Sequence, residues 1–273
     1  MPAPASRDNK TIRMLLKENL EKLEEAIHAA CKRAGRHRRE IELMAVSKTY
    51  PAETILEAEK LGLRLFGENR VQEFAAKAEA LASCREQGPL AGSDEPIRVH
   101  LIGHLQSNKA LRAVELFDAI DSVHSVRLAE RLNDAAGKLH KRLPMLIEVK
   151  LSPEETKDGL EPESAEMAAL LERLPDLHHL HMRGLMTIAP FGVPEAETRK
   201  CFRALTEWRD KWARSYPKLH FNTLSMGMSG DFAIAIQEGA TRIRVGTALF
   251  GKRAPYTGPI DDANGDASTE QLL

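Results

Sequence analysis

Apolar positions along the chain change their period repeatedly. Ile12, Leu15, Leu16, Leu20, Leu23 and Ile27 recur at helical spacing, which predicts a leading helix over 8–34 that stops at Gly35. The next run, Leu43 to Val46, is short and continuously apolar, as in a strand buried on both faces of a parallel sheet. Beyond it the two patterns alternate. Strands are predicted over 41–47, 63–67, 98–102, 119–122, 145–150, 180–186, 222–225 and 241–245. Helices follow them over 52–61, 70–83, 108–116, 125–140, 162–173, within 195–214, over 230–238 and near 247–250, and a loop containing glycine and proline covers 85–96. About eight strand–helix units in one run predict an α/β fold, a single (β/α)8 TIM-type barrel with an extra N-terminal helix, over 8–253. A doubly wound open sheet is the rival, weakened because no G-x-G-x-x-G follows the first strand. The tail over 254–273 carries turn formers and acids with little to bury, and is expected to be disordered.

Composition narrows the function classes. A chain of 273 residues with 42% hydrophobic content suits one large core, and about 250 residues is ordinary for one barrel. A formal net charge of -1 gives no global field to attract nucleic acid or an anionic membrane. Cys31, Cys84 and Cys201 are far apart, show no C-x-x-C spacing, and are odd in number, which fits a reducing compartment. The start lacks a secretory pattern, and no apolar run approaches the roughly 20 residues of a membrane span. A cytoplasmic protein is expected.

Candidate chemistry follows from the barrel. Alternation places Met44, Val46 and Lys48 on one face, with Lys48 at the strand's carboxyl end and Pro51 opening the next helix. A solvated strand-end lysine is the plain alternative to an amine held for carbonyl chemistry, but barrel active sites lie at this end. The loops after strands seven and eight commonly bind phosphate. Here they hold Ser225, Gly227, Ser229, Gly230, Gly246 and Thr247, with hydroxyls, glycine backbone and a helix start as donors. Serine and glycine after a strand are also ordinary turn chemistry. Asn69, Gln106 and Asn108 either cap helices or contact ligand. His100, His104 and the run "HHLH" at 178–181 lack the carboxylate or cysteine that would complete a metal site. Arg244 has the parity that turns it away from Ile243 and Val245, into the barrel near its mouth, and a buried guanidinium needs a partner. Arg242 shares that parity, which calls for an ion pair with a buried carboxylate.

A lysine, a phosphate nest and an inward arginine at one mouth suggest pyridoxal 5'-phosphate (PLP), with Lys48 forming a Schiff base and Arg244 facing the pyridine nitrogen. Always charged, Arg244 cannot take the ring proton, and so weakens the electron sink.

The motifs "VSKTYP", "FGENRVQEF", "HLIGHLQSNK", "GLMTIAP", "LSMGMSGDF" and "RVGTALFG", in this order between Ile41 and Arg253, resemble the pyridoxal phosphate homeostasis family. That resemblance implies a barrel related to the cofactor domain of alanine racemase. It implies Lys48 as the Schiff-base lysine, and a cofactor set of Lys48, Asn69, Met186, Ser225, Met226, Ser229, Gly230, Arg244, Gly246 and Thr247. It also implies an intracellular protein that buffers PLP or supplies it to apo-enzymes, without a reaction of its own. One stretch departs from the pattern. In "IEVKLSPEETKDGL", glutamine and asparagine would be expected where Glu148 and Lys150 stand, which puts fifth-strand contacts with the ring in doubt and makes Lys150 a rival amine.

The competing class is a PLP-dependent amino-acid racemase, which needs a second base on the opposite ring face. In alanine racemases this is a tyrosine from an added β-domain, for which the residues after Arg253 leave no room. Tyr50, only two residues from Lys48, should approach from the same side. A Schiff-base aldolase would not need Arg244 together with the phosphate loops. A barrel without an obvious exposed apolar helix face is compatible with a monomer.

Overall fold

Eight parallel strands close on themselves in chain order. They are β1 (Glu42–Val46), β2 (Leu65–Glu68), β3 (Arg98–Leu101), β4 (Ala119–Val123), β5 (Leu143–Glu148), β6 (Leu180–Met186), β7 (Thr223–Ser225) and β8 (Arg242–Val245). Pairing of β1 with both β2 and β8 completes the circle. A leading helix α1 (Asn9–Arg33) precedes the barrel, and α2 (Ala52–Lys60), α3 (Val71–Glu86), α4 (Ala110–Leu116), α5 (Val126–Lys138), α6 (Ala165–Arg173), α7 (Glu195–Ser215), α8 (Phe232–Gln237) and α9 (Thr247–Phe250) follow the successive strands. The computed structural model describes residues 9–86, 96–152 and 158–251. The expected tail over 254–273, most of the loop over 85–96, and Lys157 lie outside the described residues.

Element boundaries differ from the expected ones for local reasons. Helices α5 and α6 start late because Ser125 and Ser164 cap them, their hydroxyls accepting from the N–H groups of Leu128 and Met167 at 3.1 Å each. Strand β5 runs earlier than expected, so Lys150 stands beyond it. Helix α1 buries Leu16, Leu23 and Ile27 as its spacing predicts, but Leu15 is exposed, because the helix packs chiefly on α2, α8 and α9 and covers a narrow stripe. Its end is fixed by Gly35 at φ 65°, which lets the Arg36 N–H reach the Cys31 carbonyl at 2.9 Å. Gly184 in β6 is also obligatory, since a Cβ there would lie 1.9 Å from the Thr223 carbonyl oxygen of β7.

Strand parity turns charged side chains into the barrel, and closure supplies their partners. Glu42 and Arg242 stand side by side at the starts of β1 and β8. Arg242 Nε donates to Glu42 Oε2 at 2.8 Å, and its Nη1 donates to Asp121 Oδ2 of β4 at 2.9 Å. His100 Nδ1 of β3 lies 3.1 Å from Asp121 Oδ1. Burial alone would raise the Asp121 pKa, but the attraction of His100 and Arg242 outweighs it and holds the carboxyl below its ordinary range. Asp121 and Glu42 are thus the carboxylates that an inward Arg242 demanded.

This arrangement makes Arg242 a stability residue. Arg242→Met should cost about 3–5 kcal/mol in denaturant unfolding, because it leaves Asp121 charged and buried without its cation. The native stability gained from Asp121 should also fade as pH falls below its unfolded value of 3.8 toward the lower folded one.

Candidate functional site

Residues following β1, β2, β3, β5, β6, β7 and β8 line a cleft of about 490 Å³ at the carboxyl ends of the strands. Lys48 and Asn69 reach it from the first two strand ends, and Ser229, Gly230, Gly246 and Thr247 from the last two. Arg244 lines it from the barrel interior and is 3% exposed. Seven of the residues expected from sequence therefore converge on one cavity. Met186, Ser225 and Met226 do not line it, and lie fully buried beneath.

The seat of Lys48 is more constrained than a strand end. Strand β1 stops at Val46, and Ser47 begins a tight turn in which the Tyr50 N–H donates to the Ser47 carbonyl at 3.1 Å, with Thr49 at φ 67°. A buried network holds that turn. Lys77 of α3 donates to the Ser47 carbonyl at 3.0 Å, to Glu68 Oε1 at 2.9 Å and Oε2 at 3.0 Å, and to Glu73 Oε1 at 2.7 Å. Glu68 also accepts from the Ser47 hydroxyl at 2.7 Å, and Glu73 from the Thr49 N–H at 2.5 Å. Both residues flanking Lys48 are therefore tied to a single lysine on the neighbouring helix. Burial pushes Glu68 up to about 6, with the Lys77 ammonium opposing the rise. Tyr50 is tied as well, its hydroxyl donating to the Gly251 carbonyl at 2.7 Å and its ring lying 4.9 Å from Phe250.

The other half of the cleft is built for backbone approach. Gly227 takes φ 92°, and a Cβ there would lie 2.5 Å from that of Ala235, so the loop can fold onto α8 only with glycine. Asp231 accepts from the Met228 N–H at 2.5 Å, and Ser229 Oγ accepts from the Ala248 N–H at 3.3 Å, joining the loops after β7 and β8. Arg244 is clamped in place: its Nη1 donates to the Ser225 carbonyl at 2.7 Å and hydroxyl at 2.8 Å, and its Nη2 to the Thr187 carbonyl at 2.9 Å. Burial lowers its pKa, against Asp121, Asp231 and Glu148, but a guanidinium remains a cation at neutral pH. The buried Ser225 thus orients Arg244 from below.

A third side of the cleft carries His104, Glu148, Lys150 and Asp158. His104 Nδ1 lies 3.0 Å from Asp158 Oδ1, and its ring stacks on His124 at 4.4 Å. The hydrogen bond to Asp158 raises the His104 pKa, whereas burial lowers that of His124. Glu148 is 6% exposed, and its Oε2 has no hydrogen-bond partner among the described residues. Burial and the nearby Asp158 push it up to about 7, with Arg244 and His104 opposing. Among the described residues no group of three or more His, Cys, Asp or Glu side chains could hold a metal ion, and no helix is long and apolar enough to cross a membrane.

Three residues left open by the sequence resolve differently. Asn69 lines the cleft, Gln106 precedes the 3-10 turn Ser107–Lys109 without a side-chain cap, and Asn108 lies within that turn and does not line the cleft. Lys77 and Glu73 were missed as supports of Lys48, although their four-residue spacing puts them on one face of α3. Lys150 does line the cleft with Lys48.

The alanine racemase N-terminal domain family matches residues 19–254. A pyridoxal phosphate homeostasis protein of Aquifex aeolicus is 41% identical over 236 residues, covering 86% of this chain and 97% of that protein. Its counterpart in Escherichia coli is 39% identical over 239 residues, covering 86% and 95%. The solved structure of PipY from Synechococcus elongatus, with PLP bound, superposes with a TM-score of 0.74 at 41% identity, covering 86% of this chain and all of that one. An alanine racemase of Clostridium difficile shares the fold, with a TM-score of 0.64 at 17% identity, over 90% of this chain and 59% of its own.

The network under Lys48 generates a prediction. Lys77→Met should destabilise the protein by about 3–5 kcal/mol, since it strands Glu68. Adding Glu68→Met should restore part of that loss in a double-mutant cycle measured by urea unfolding.

Proposed function

Because the chain belongs to the pyridoxal phosphate homeostasis family, we propose that it binds PLP at the barrel mouth and serves to hold and supply that cofactor, without turning over a substrate of its own. The observation that carries this reading is the convergence of Lys48, Arg244 and the Ser229–Gly230 and Gly246–Thr247 loops on one cleft. Its donor set fits the group: PLP brings an aldehyde that condenses with a primary amine, a ring nitrogen, and a phosphate that needs hydrogen-bond donors.

Each residue has a definite task. Lys48 presents the amine, held in register by the turn that Lys77 fixes. Ser229, Thr247 and the adjoining glycine backbone receive the phosphate at the start of α9. Arg244 points N–H donors at the ring from a position clamped by Ser225 and Thr187. Having no acceptor, it cannot take a proton from a ring nitrogen and disfavours the protonated ring that amino-acid chemistry uses as an electron sink. Met186, Ser225 and Met226 shape the floor rather than contact the phosphate.

The racemase alternative needs a proton-transferring group opposite Lys48. Tyr50 is a poor candidate, because its hydroxyl is already donated to Gly251 and its ring is packed on Phe250. Turnover of amino acids is accordingly not expected. Delivery to apo-enzymes is the use this reading assigns to the site. Incubating the loaded protein with an apo-aminotransferase, in the presence of a trap for free PLP, should restore transaminase activity faster than free cofactor does.

Lys48→Ala should leave the fold intact and abolish the adduct that borohydride reduction fixes in the wild-type protein. Peptide mapping that finds the adduct on Lys109, Lys150 or Lys157 instead would overturn the assignment of Lys48. A second measurement concerns the phosphate. Ser229→Leu or Thr247→Leu should weaken PLP retention by about tenfold or more, as expected for losing a hydrogen bond to a charged group, while changing pyridoxal binding little. Equal loss for both ligands would remove the phosphate assignment.

A further inference from the structure

Glu148 is a buried carboxyl lining the cleft whose Oε2 has no hydrogen-bond partner among the described residues. It ends β5 beside Met186 of β6 and is 6% exposed. Its backbone is fixed, since its carbonyl accepts from the Leu160 N–H at 2.9 Å, and its Cγ lies where it would meet a Cβ on Gly159 at 3.2 Å. A buried polar atom without a partner is costly, and in a binding cleft the missing partner is naturally an atom of the ligand.

We propose that Glu148 contacts bound PLP with its carboxyl protonated, donating a hydrogen bond to the cofactor, so that cofactor retention falls when the protein loses that proton. The inference rests on the cleft being the PLP site. A neutral glutamic acid has nearly the shape of the glutamine that the family resemblance leads one to expect here, and both offer a donor. An ionised one offers only acceptors and sets a negative charge against an anionic ligand.

The charges around Glu148 decide its state. Arg244 from β8 and His104 from the loop after β3 favour the carboxylate, and Asp158, following β5, opposes it. Lys48 and Lys150 line the same cleft as cations, and Asp231 as an anion. Arg244 is already committed to Ser225 and Thr187, and His104 to Asp158, so neither hydrogen-bonds to Glu148. Burial therefore prevails, and the group titrates at about 7. A bound phosphate ester adds negative charge and raises it further, which is the same coupling seen from the ligand's side.

The test compares wild type with Glu148→Gln and Glu148→Met, using pyridoxine 5'-phosphate, which has no aldehyde, so that titration of the Lys48 amine does not enter. Dissociation constants are measured from pH 6 to 8.5 by fluorescence, with PLP itself as a reference ligand. Phosphate ionisation is common to all three proteins and cancels in the comparison. Glu148→Gln should match wild type near pH 6 and bind about tenfold more tightly at pH 8, where about a tenth of the wild-type carboxyl stays neutral. Glu148→Met should follow the pH dependence of Glu148→Gln but bind more weakly throughout, because it cannot donate. Parallel curves for wild type and Glu148→Gln would overturn the proton coupling. Equal affinity of the Gln and Met variants would overturn the contact. A wild-type protein that binds neither ligand at any pH would instead defeat the PLP reading on which the inference stands.

Discussion

A closed barrel tolerates a charge in its interior only where closure also delivers a partner, and this condition organises the molecule. Parity along β8 turns two arginines inward, and each is satisfied by a different part of the wall. Arg242 meets Glu42 and Asp121 near the strand starts. Arg244, one pleat higher, donates to the neutral oxygens of Ser225 and Thr187. The lower arginine is thereby paired within the barrel, whereas the upper one lines the cleft. Two residues of one strand acquire opposite roles from the chemistry of their partners.

The same condition explains how an amine can be presented with precision from a turn. Lys48 is half-buried and follows the last paired residue of β1, where loops are ordinarily loose. Lys77 ties the Ser47 carbonyl, Glu68 and Glu73 together, and Glu73 in turn holds the Thr49 N–H. A cation thus stabilises the carbonyl side of the turn while sitting on the outer layer, leaving the cleft face to Lys48. Such a support holds the turn that carries Lys48 from behind, in the manner of the second layer around a metal site.

Much of this was legible in the chain. The alternation of strand and helix patterns carried the barrel, and period-two parity placed Lys48 and Arg244 at its mouth. Parity also demanded a carboxylate for Arg242, though not which one, because Asp121 lies 121 residues away in sequence and meets it only on closure. Met186, Ser225 and Met226, expected in the cofactor set from the family resemblance, are buried and do not line the cleft: loop residues share a motif whether they face the cleft or the wall beneath it. Glu148 was visible only as a departure from a pattern. Its unbonded oxygen depends on how β5, β6 and β8 converge, which no local spacing encodes. Lys77 was hidden in part for the same reason, since Ser47 and Glu68 come from other elements and only Glu73 is a local neighbour on α3.

The central claim is that one cleft receives PLP with its phosphate between the loops after β7 and β8 and its aldehyde at Lys48. A crystal structure of the protein loaded with PLP tests it most directly. The account predicts phosphate density bounded by Ser229, Gly230, Gly246 and Thr247, continuous density from the ligand to Lys48 Nζ, and the ring nitrogen turned to Arg244. A phosphate seated against His104 and Lys150, or density continuous with Lys150 and not Lys48, would contradict it.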